Sequence, residues 1–427
     1  MIQNKFLKNN LVFLFSSALG GILGYGFHFL ISRELSVAQY GELQAVTSIM
    51  TITGVFFSAV AYFIIKKSAV LALHNDRGGQ VGFIDFARQK FEPLMLVFVV
   101  LLLIFLPIAK NWLHLSDYLG LLMVGLSMLF VFYAAFFSNS LQGWNYFFAL
   151  SMTGIVATIV KVISGYALAL FWPTASAVAA SFLISAVVGW LTVKKYFQKK
   201  WPAVHDQKNK AEWREKYFSG VSFRKSFAQI VLFSLGLAIA GNLDMLLIKN
   251  MASAELSGYY GALSVLGKVI LWLNFSIVGV LFPEACSVAY AGQSVSPKTI
   301  FSSYGLILII SLPLLIAYYF FPEFFVAAMF GPAYLGVAGS LWFFGMMAFV
   351  FSLMLLESKL ALARYALKAS LVLFLTIVIL IINLFFHHDS LRAIVIAVSV
   401  SFFGGWLLML ALNLQQRFSS KNRLSSY

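Results

Sequence analysis

Apolar runs of about twenty residues, separated by short basic or polar stretches, dominate the chain from end to end. About 20 mostly apolar residues, rising 1.5 Å each, cross a hydrocarbon core about 30 Å thick. Twelve runs meet that length: 11–32, 43–65, 93–112, 118–138, 146–171, 174–193, 224–249, 258–283, 299–321, 334–356, 361–385 and 391–414. They are continuously apolar rather than alternating, so helices are predicted and not a membrane barrel. The first run lacks a small-residue cleavage site leading into a soluble domain and reads as a retained span. Composition agrees: 61% of residues are hydrophobic, 11% are charged and the mean hydropathy is +0.90, which excludes a soluble fold. With Cys286 as the single cysteine, a disulfide scaffold is excluded too.

Charge then orients the spans. With the amino terminus in the cytoplasm, 24 of the 30 lysines and arginines fall in cytoplasmic segments. The outer segments hold only Arg33, Lys110, Lys249 and Arg392, while Lys161 and Lys268 lie inside spans. This is a strong positive-inside bias, with both termini cytoplasmic in the cytoplasmic membrane. The net charge of +15 therefore points to anionic headgroups rather than to nucleic acid. No connection exceeds roughly 35 residues, so a soluble catalytic domain has no room, and a non-enzyme is expected.

The pattern repeats. ISRELSVAQYGELQAV after the first span and IKNMASAELSGYYGAL after the seventh align at an offset of 217 residues. Ile31 meets Ile248, Ser36 meets Ser253, Gly41 meets Gly258 and Ala45 meets Ala262. Six spans per half is an even number, so both halves enter the membrane alike. The expected fold is an all-α integral membrane protein of twelve helices. Its two six-helix lobes should be related by a pseudo-twofold along the membrane normal, in an alternating-access arrangement. The lobes are placed at 1–193 and 224–414, joined by a basic cytoplasmic linker at 194–223 and followed by a cytoplasmic tail at 415–427.

Three charges stand where hydrocarbon should exclude them. Lys161 and Lys268 each lie 10 residues from the outer end of their spans, about 15 Å deep. A central lysine costs roughly 2.5–3.5 kcal/mol, so each needs water, a partner or an anionic ligand. Both sit on small, polar stripes: Gly154, Ala157, Thr158, Lys161 and Gly165, and Gly261, Ser264 and Lys268. Span one carries Ser17, Gly21, Gly24 and His28 at similar spacing. Such stripes face protein or water; helix packing and cavity lining both account for them. Asp244 aligns with Ser234, Ala238 and Gly241 on span seven. It can pair with Lys268, bind a coupling proton or sodium ion, or cap polar groups near the outer interface. Glu284, Glu323 and Glu357 are read as interfacial. His387, His388 and Asp389 resemble a metal cluster but fit a polar turn more simply. No phosphate-binding loop, serine–histidine constellation or paired carboxylates occur at useful spacing.

The segment NLDMLLIKNMASAELSGYYGALSVLGKVILWLNFSIVGVLFPEA resembles the polysaccharide-transport family of flippases. That family lies in the superfamily of multidrug-and-toxin exporters and lipid II flippases. RELSVAQYGEL, LQGWNYFFALSMTGIVATIVKV and FGPAYLGVAGSL support the resemblance, which covers essentially the whole chain. Family members often carry Ala-Arg-Leu-Leu-Gly-Pro after the first span, whereas ISRELSVAQYG lacks the Gly-Pro.

The resemblance implies movement of isoprenoid-pyrophosphate-linked oligosaccharide between leaflets for cell-surface polysaccharide assembly. The implied partners are that lipid-linked sugar and membrane lipids. In the family, spans one, two, seven and eight border the cavity, which suits Lys268, Asp244 and His28. The expected substrate-binding set is Lys161, Lys268, His28 and Arg33, with Asp244 for ion coupling or an ion pair. No cofactor is expected beyond a coupling proton or sodium ion, and no metal site. The alternatives are an ion-coupled multidrug exporter of the same superfamily and a membrane-embedded glycan polymerase or ligase.

Overall fold

Polar side chains open several helices where the apolar runs break. Ser36, Asp76, Thr174 and Ser296 each accept a hydrogen bond from the backbone N–H three residues on, satisfying a donor that the first turn leaves unpaired. The structure, a computed structural model, describes residues 2–201, 221–290 and 295–424. Its first six helices are α1 (Ile2–Glu34), α2 (Val37–Leu73), α3 (Arg77–Trp112), α4 (Leu119–Gly143), α5 (Phe147–Phe171) and α6 (Ala175–Lys200). There follow α7 (Val221–Ala240), α8 (Leu243–Met251), α9 (Ala254–Tyr290), α10 (Pro297–Phe320) and α11 (Pro322–Phe330). A 3-10 segment (Pro332–Ser340), α12 (Leu341–Phe386) and α13 (Leu391–Leu424) complete the order. Among the described residues there is no strand, and nine helical stretches are long and apolar enough to cross a membrane. The count is ten if α7 and α8 form one bent span. The protein is a multi-pass helical membrane protein. The first two expected spans fall on α1 and α2, where Ser17 and other side chains lie outside the described residues. Most of the expected linker and the side chains of Glu284 and Cys286 lie outside them as well.

Two expected spans look different in the structure. The run 224–249 is not one helix: Gly241 and Asn242 leave the helical path, and α8 resumes at 43° to α7. Asn242 Nδ2 donates to Ala238 O at 3.0 Å, giving that carbonyl a side-chain partner at the break. The runs 334–356 and 361–385 fall almost entirely on α12, which is helical over 46 residues. A Cβ placed on Gly405 of α13 would lie 2.8 Å from Met354 Sδ and 2.6 Å from Thr376 Oγ1. In a straight helix those two residues would stand about 33 Å apart. The element therefore folds back between them and forms two arms. The first arm runs parallel to α13, with Phe351 on Phe402 and Glu357 on Asn413; the second runs antiparallel, with Asn383 on Ser401.

The chain divides into two compact units, one of residues 1–39 and 49–227, the other of residues 40–48 and 228–427. In the first unit α4 and α6 run parallel, joined by Phe130 on Trp190 and Phe137 on Phe197. Phe57, Phe63, Phe83, Phe132 and Phe136 fill the interior between α2, α3 and α4. In lipid the association rests on dispersion and interhelical hydrogen bonds, because the tails are as apolar as the side chains. A buried polar knot supplies such bonds. Gln80 Nε2 donates to Ser68 Oγ (3.0 Å) and Ser140 Oγ (2.9 Å), and Trp144 Nε1 donates to Gln80 Oε1 (2.7 Å).

The second unit has its own knot. Tyr304 Oη and Asn413 Nδ2 each donate to the Glu357 carboxylate at 2.6 Å, and Trp406 Nε1 donates to Tyr304 Oη at 3.0 Å. Glu357, read as interfacial, is 2% exposed, and the knot gives both its oxygens donors inside the protein. Ser140 of the first knot and Glu357 of the second stand 217 residues apart, the offset of the sequence repeat.

Gly405→Val is expected to lower the thermal unfolding midpoint in detergent by several degrees, the effect of overpacking worth about 1–3 kcal/mol. Gly305→Ala, where a Cβ meets no described atom within 4 Å, is expected to leave the midpoint unchanged. Scanning fluorimetry of both variants measures the difference.

Candidate substrate and ion sites

The first unit carries Lys161 on α5. Its ammonium lies over two aromatic rings, 4.8 Å from the Phe27 centroid and 5.5 Å from that of Phe182. No carboxylate among the described residues lies within ion-pair distance of it. Two desolvated π faces are worth about 2 kcal/mol or more, comparable with the insertion cost of a central lysine. The ammonium keeps its three donors, because rings accept charge without consuming hydrogen bonds in a fixed direction.

The small-residue stripes leading to Lys161 divide into a packed end and an open end. A Cβ on Gly165 would lie 2.6 Å from a Phe27 ring carbon, so α1 and α5 touch there. Gly154, by contrast, has no described atom within 4 Å of that position, and neither do Gly20, Gly21 and Gly24 on α1. Phe27 and Ile31, further along the same face of α1 as Gly20 and Gly24, are buried. Gly154, two turns back from Lys161, and Gly20, Gly21 and Gly24, one to two turns back from Phe27, thus meet no described atom, whereas Ala157 lies against Gly189 of α6. His28 sits beside Phe27 in edge contact at 5.5 Å. Arg33 lies apart from Lys161: it is exposed at the end of α1, where its guanidinium stacks on Phe29 at 3.8 Å and donates to Phe29 O at 2.9 Å.

The second unit holds Lys268 and Asp244, but not as a pair. Asp244 Oδ2 accepts a 2.5 Å hydrogen bond from Tyr260 Oη. Lys268 is eight residues beyond Tyr260 on α9, about 12 Å further along the helix, so its ammonium is out of reach. Instead it donates to Gly241 O at 3.4 Å, at the break after α7. A broken helix end presents unpaired carbonyls and the negative end of its dipole, which suits a cation. Among the described residues the Asp244–Lys268 pair, one of the three readings open for Asp244, does not form, and each charge has a separate, neutral partner.

Asp244 is 2% exposed and its Oδ1 has no hydrogen-bond partner. A buried carboxylate with one empty oxygen has room for a bound cation, since a buried charge is costly without a partner. Asp244 and Tyr260 form the candidate ion site. Among the described residues no group of three metal-ligating side chains occurs. The Nδ1 atoms of His387 and His388 lie 3.0 Å from Asn383 O and Phe385 O, at the end of α12.

Sequence reasoning missed several participants. Phe27, Phe182 and Tyr260 carry no charge and merge into apolar runs. Lys249, read as lying in an outer connection, is 3% exposed and pairs with Glu42 at 3.8 Å.

A family model described as "polysaccharide biosynthesis protein" matches residues 6–285. The chain belongs to that family. No curated protein sequence matches it. Solved structures show the fold of this family member. A lipid II flippase MurJ in an inward closed conformation aligns with a TM-score of 0.67 at 16% identity, over 94% of this chain and 87% of that one. An inward-facing multidrug resistance MATE family transporter of the MOP superfamily aligns with a TM-score of 0.67 at 12% identity, over 94% and 96%. A MOP superfamily transporter from Pyrococcus furiosus Vc1 aligns at 0.66 and 13%, over 97% and 96%; its binding pocket is described as reversed in polarity.

A double-mutant cycle of Asp244→Asn with Lys268→Gln is expected to be additive within about 0.5 kcal/mol of unfolding free energy. Asp244→Asn with Tyr260→Phe is expected to couple by more than that. Denaturant titration in detergent measures both cycles.

Proposed function

We propose that this protein is a flippase for isoprenoid-pyrophosphate-linked oligosaccharide, acting in the cytoplasmic membrane during cell-surface polysaccharide assembly. Family membership supports the pathway. The observation that carries the substrate class is Lys161: a cation with no carboxylate partner among the described residues, on a helix face whose Gly154 meets no described atom. A pyrophosphate bears two or more negative charges and cannot cross hydrocarbon bare. A groove lined by small residues admits the headgroup, while Lys161 offers charge-assisted donors in place of its water. The lipid tail stays in the bilayer throughout. Nothing in this scheme forms or breaks a covalent bond, so the protein is a transporter rather than an enzyme.

The rest of the mechanism belongs to the same reading. Two six-span halves, 1–193 and 224–414, alternate access between leaflets, with the linker 194–223 and both termini in the cytoplasm. Lys268 and His28 join Lys161 in attracting the anionic headgroup, and Arg33 meets it at the outer rim. Asp244 exchanges a coupling proton or sodium ion, for which its unpartnered Oδ1 is suited. An exporter of cationic drugs would need anionic groups along its path, whereas Lys161 is a cation.

In proteoliposomes supplied with fluorescent lipid-pyrophosphate sugar and an ion gradient, the protein is expected to move the label between leaflets. Lys161→Gln with Lys268→Gln is expected to slow the movement at least tenfold, the loss of about 1.4 kcal/mol or more. Unchanged rates would remove the role of the cations, and efflux of cationic dyes instead of lipid would overturn the substrate class.

A further inference from the structure

Asn274 of α9, Ser311 of α10 and Ser352 of α12 meet inside the second unit, and all three are fully buried. Asn274 Nδ2 donates one hydrogen to Ser311 Oγ at 2.9 Å and the other to Ser352 Oγ at 3.2 Å. The Ser352 hydroxyl is spent in turn on Ala348 O at 2.8 Å. Two atoms are left over. Among the described residues Asn274 Oδ1 has no hydrogen-bond partner, and Ser311 has no acceptor for its own hydroxyl hydrogen. Turning the amide over does not complete the set. Ser311 would then donate to Oδ1, but both Nδ2 hydrogens would lack acceptors. In either orientation the joint needs one more group, since a buried polar atom left without a partner costs more than a made hydrogen bond gains.

The internal repeat does not demand polar residues at this place. The helices α2 (Val37–Leu73) and α9 (Ala254–Tyr290) match at the 217-residue offset over their whole length. Phe57 stands where α9 has Asn274, and Ala135 where α12 has Ser352. The Phe57 ring packs on Phe98 and Phe132, both at 5.7 Å, so the first unit is apolar where the second is polar.

Along the helices the trio is closed on both sides. Gly267, about two turns before Asn274, brings α9 against α12: a Cβ there would lie 2.6 Å from Phe344 O. On the other side stand Tyr304, seven residues before Ser311, and Glu357, five residues after Ser352, joined at 2.6 Å. The missing group is therefore small. It has to donate to Asn274 Oδ1 and accept from Ser311. A monovalent cation would satisfy Oδ1 but leave the Ser311 hydrogen without an acceptor, and the trio contains no carboxylate to offset its charge. A water molecule does both, with the two polar partners that an internal water requires.

We propose that the second unit binds one internal water molecule between Ser311 Oγ and Asn274 Oδ1. With it every polar atom of the trio is paired, and α9, α10 and α12 are tied together between the Gly267 contact and the Glu357 knot. This site is independent of the transport reading.

The test is a density map of the full-length protein in nanodiscs, at a resolution that shows ordered waters. One sample is prepared in sodium and potassium salts and one with N-methylglucamine as the only cation. A single peak within hydrogen-bond distance of both atoms is expected in both samples. A peak that disappears in N-methylglucamine overturns the water in favour of a bound cation. The absence of any peak, in a map that shows other internal waters, overturns the site itself. Ser311→Ala removes one of the two partners and is expected to lose the peak. Ser352→Ala leaves both in place and is expected to keep it. A peak unchanged by Ser311→Ala, or lost in Ser352→Ala, also overturns the bridge.

Discussion

A charge inside hydrocarbon must be answered by something nearby, and this protein answers each of its buried charges differently. Lys161 rests on two phenylalanine rings, Lys268 on the carbonyl at a helix break, and Asp244 on a tyrosine hydroxyl. Glu357 is satisfied inside a knot of neutral donors, and Glu42 with Lys249 neutralise each other. These solutions are not equivalent. Glu357 has both oxygens occupied, as a structural clamp requires. Lys161 and Asp244 are left with hydrogen-bonding capacity unspent, which is what a site that exchanges ligands requires.

That difference separates architecture from function in the same fold. The polar knots around Gln80 and Glu357 tie three helices each, so each unit has a fixed reference against which something else can move. The glycine faces of α1 and α5 are open where the knots are closed. The start of α2 shows a third kind of contact, a close backbone approach to Gly258 beside the Tyr40 ring contacts and the Glu42–Lys249 pair.

Much of this was legible in the sequence, for identifiable reasons. The run 146–171 matches α5 (Phe147–Phe171) within a residue, because both its ends coincide with the polar break of the chain. The run 93–112 covers only the end of α3 (Arg77–Trp112), since hydropathy registers the lipid-facing part and not the charged turns that continue the helix. Lys161, Lys268 and Asp244 were visible as charges out of place. Their partners were not. Charge alone favoured Asp244 with Lys268, but helix register sets Tyr260 opposite the carboxylate and carries Lys268 two turns past it. The break at Gly241–Asn242 is a turn dipeptide hidden in an apolar run. Glu42 met Lys249 only through the fold, for no local pattern links residues 207 positions apart.

The central claim is that Lys161 recognises an anionic headgroup from its aromatic seat. The most direct measurement is binding of a short-chain isoprenoid pyrophosphate to the purified protein by calorimetry, comparing the parent with Lys161→Met, which keeps the packing on Phe27 and removes the charge. The account predicts affinity about tenfold weaker or less in the variant, with an unchanged unfolding midpoint. Equal affinity in the two proteins would contradict it.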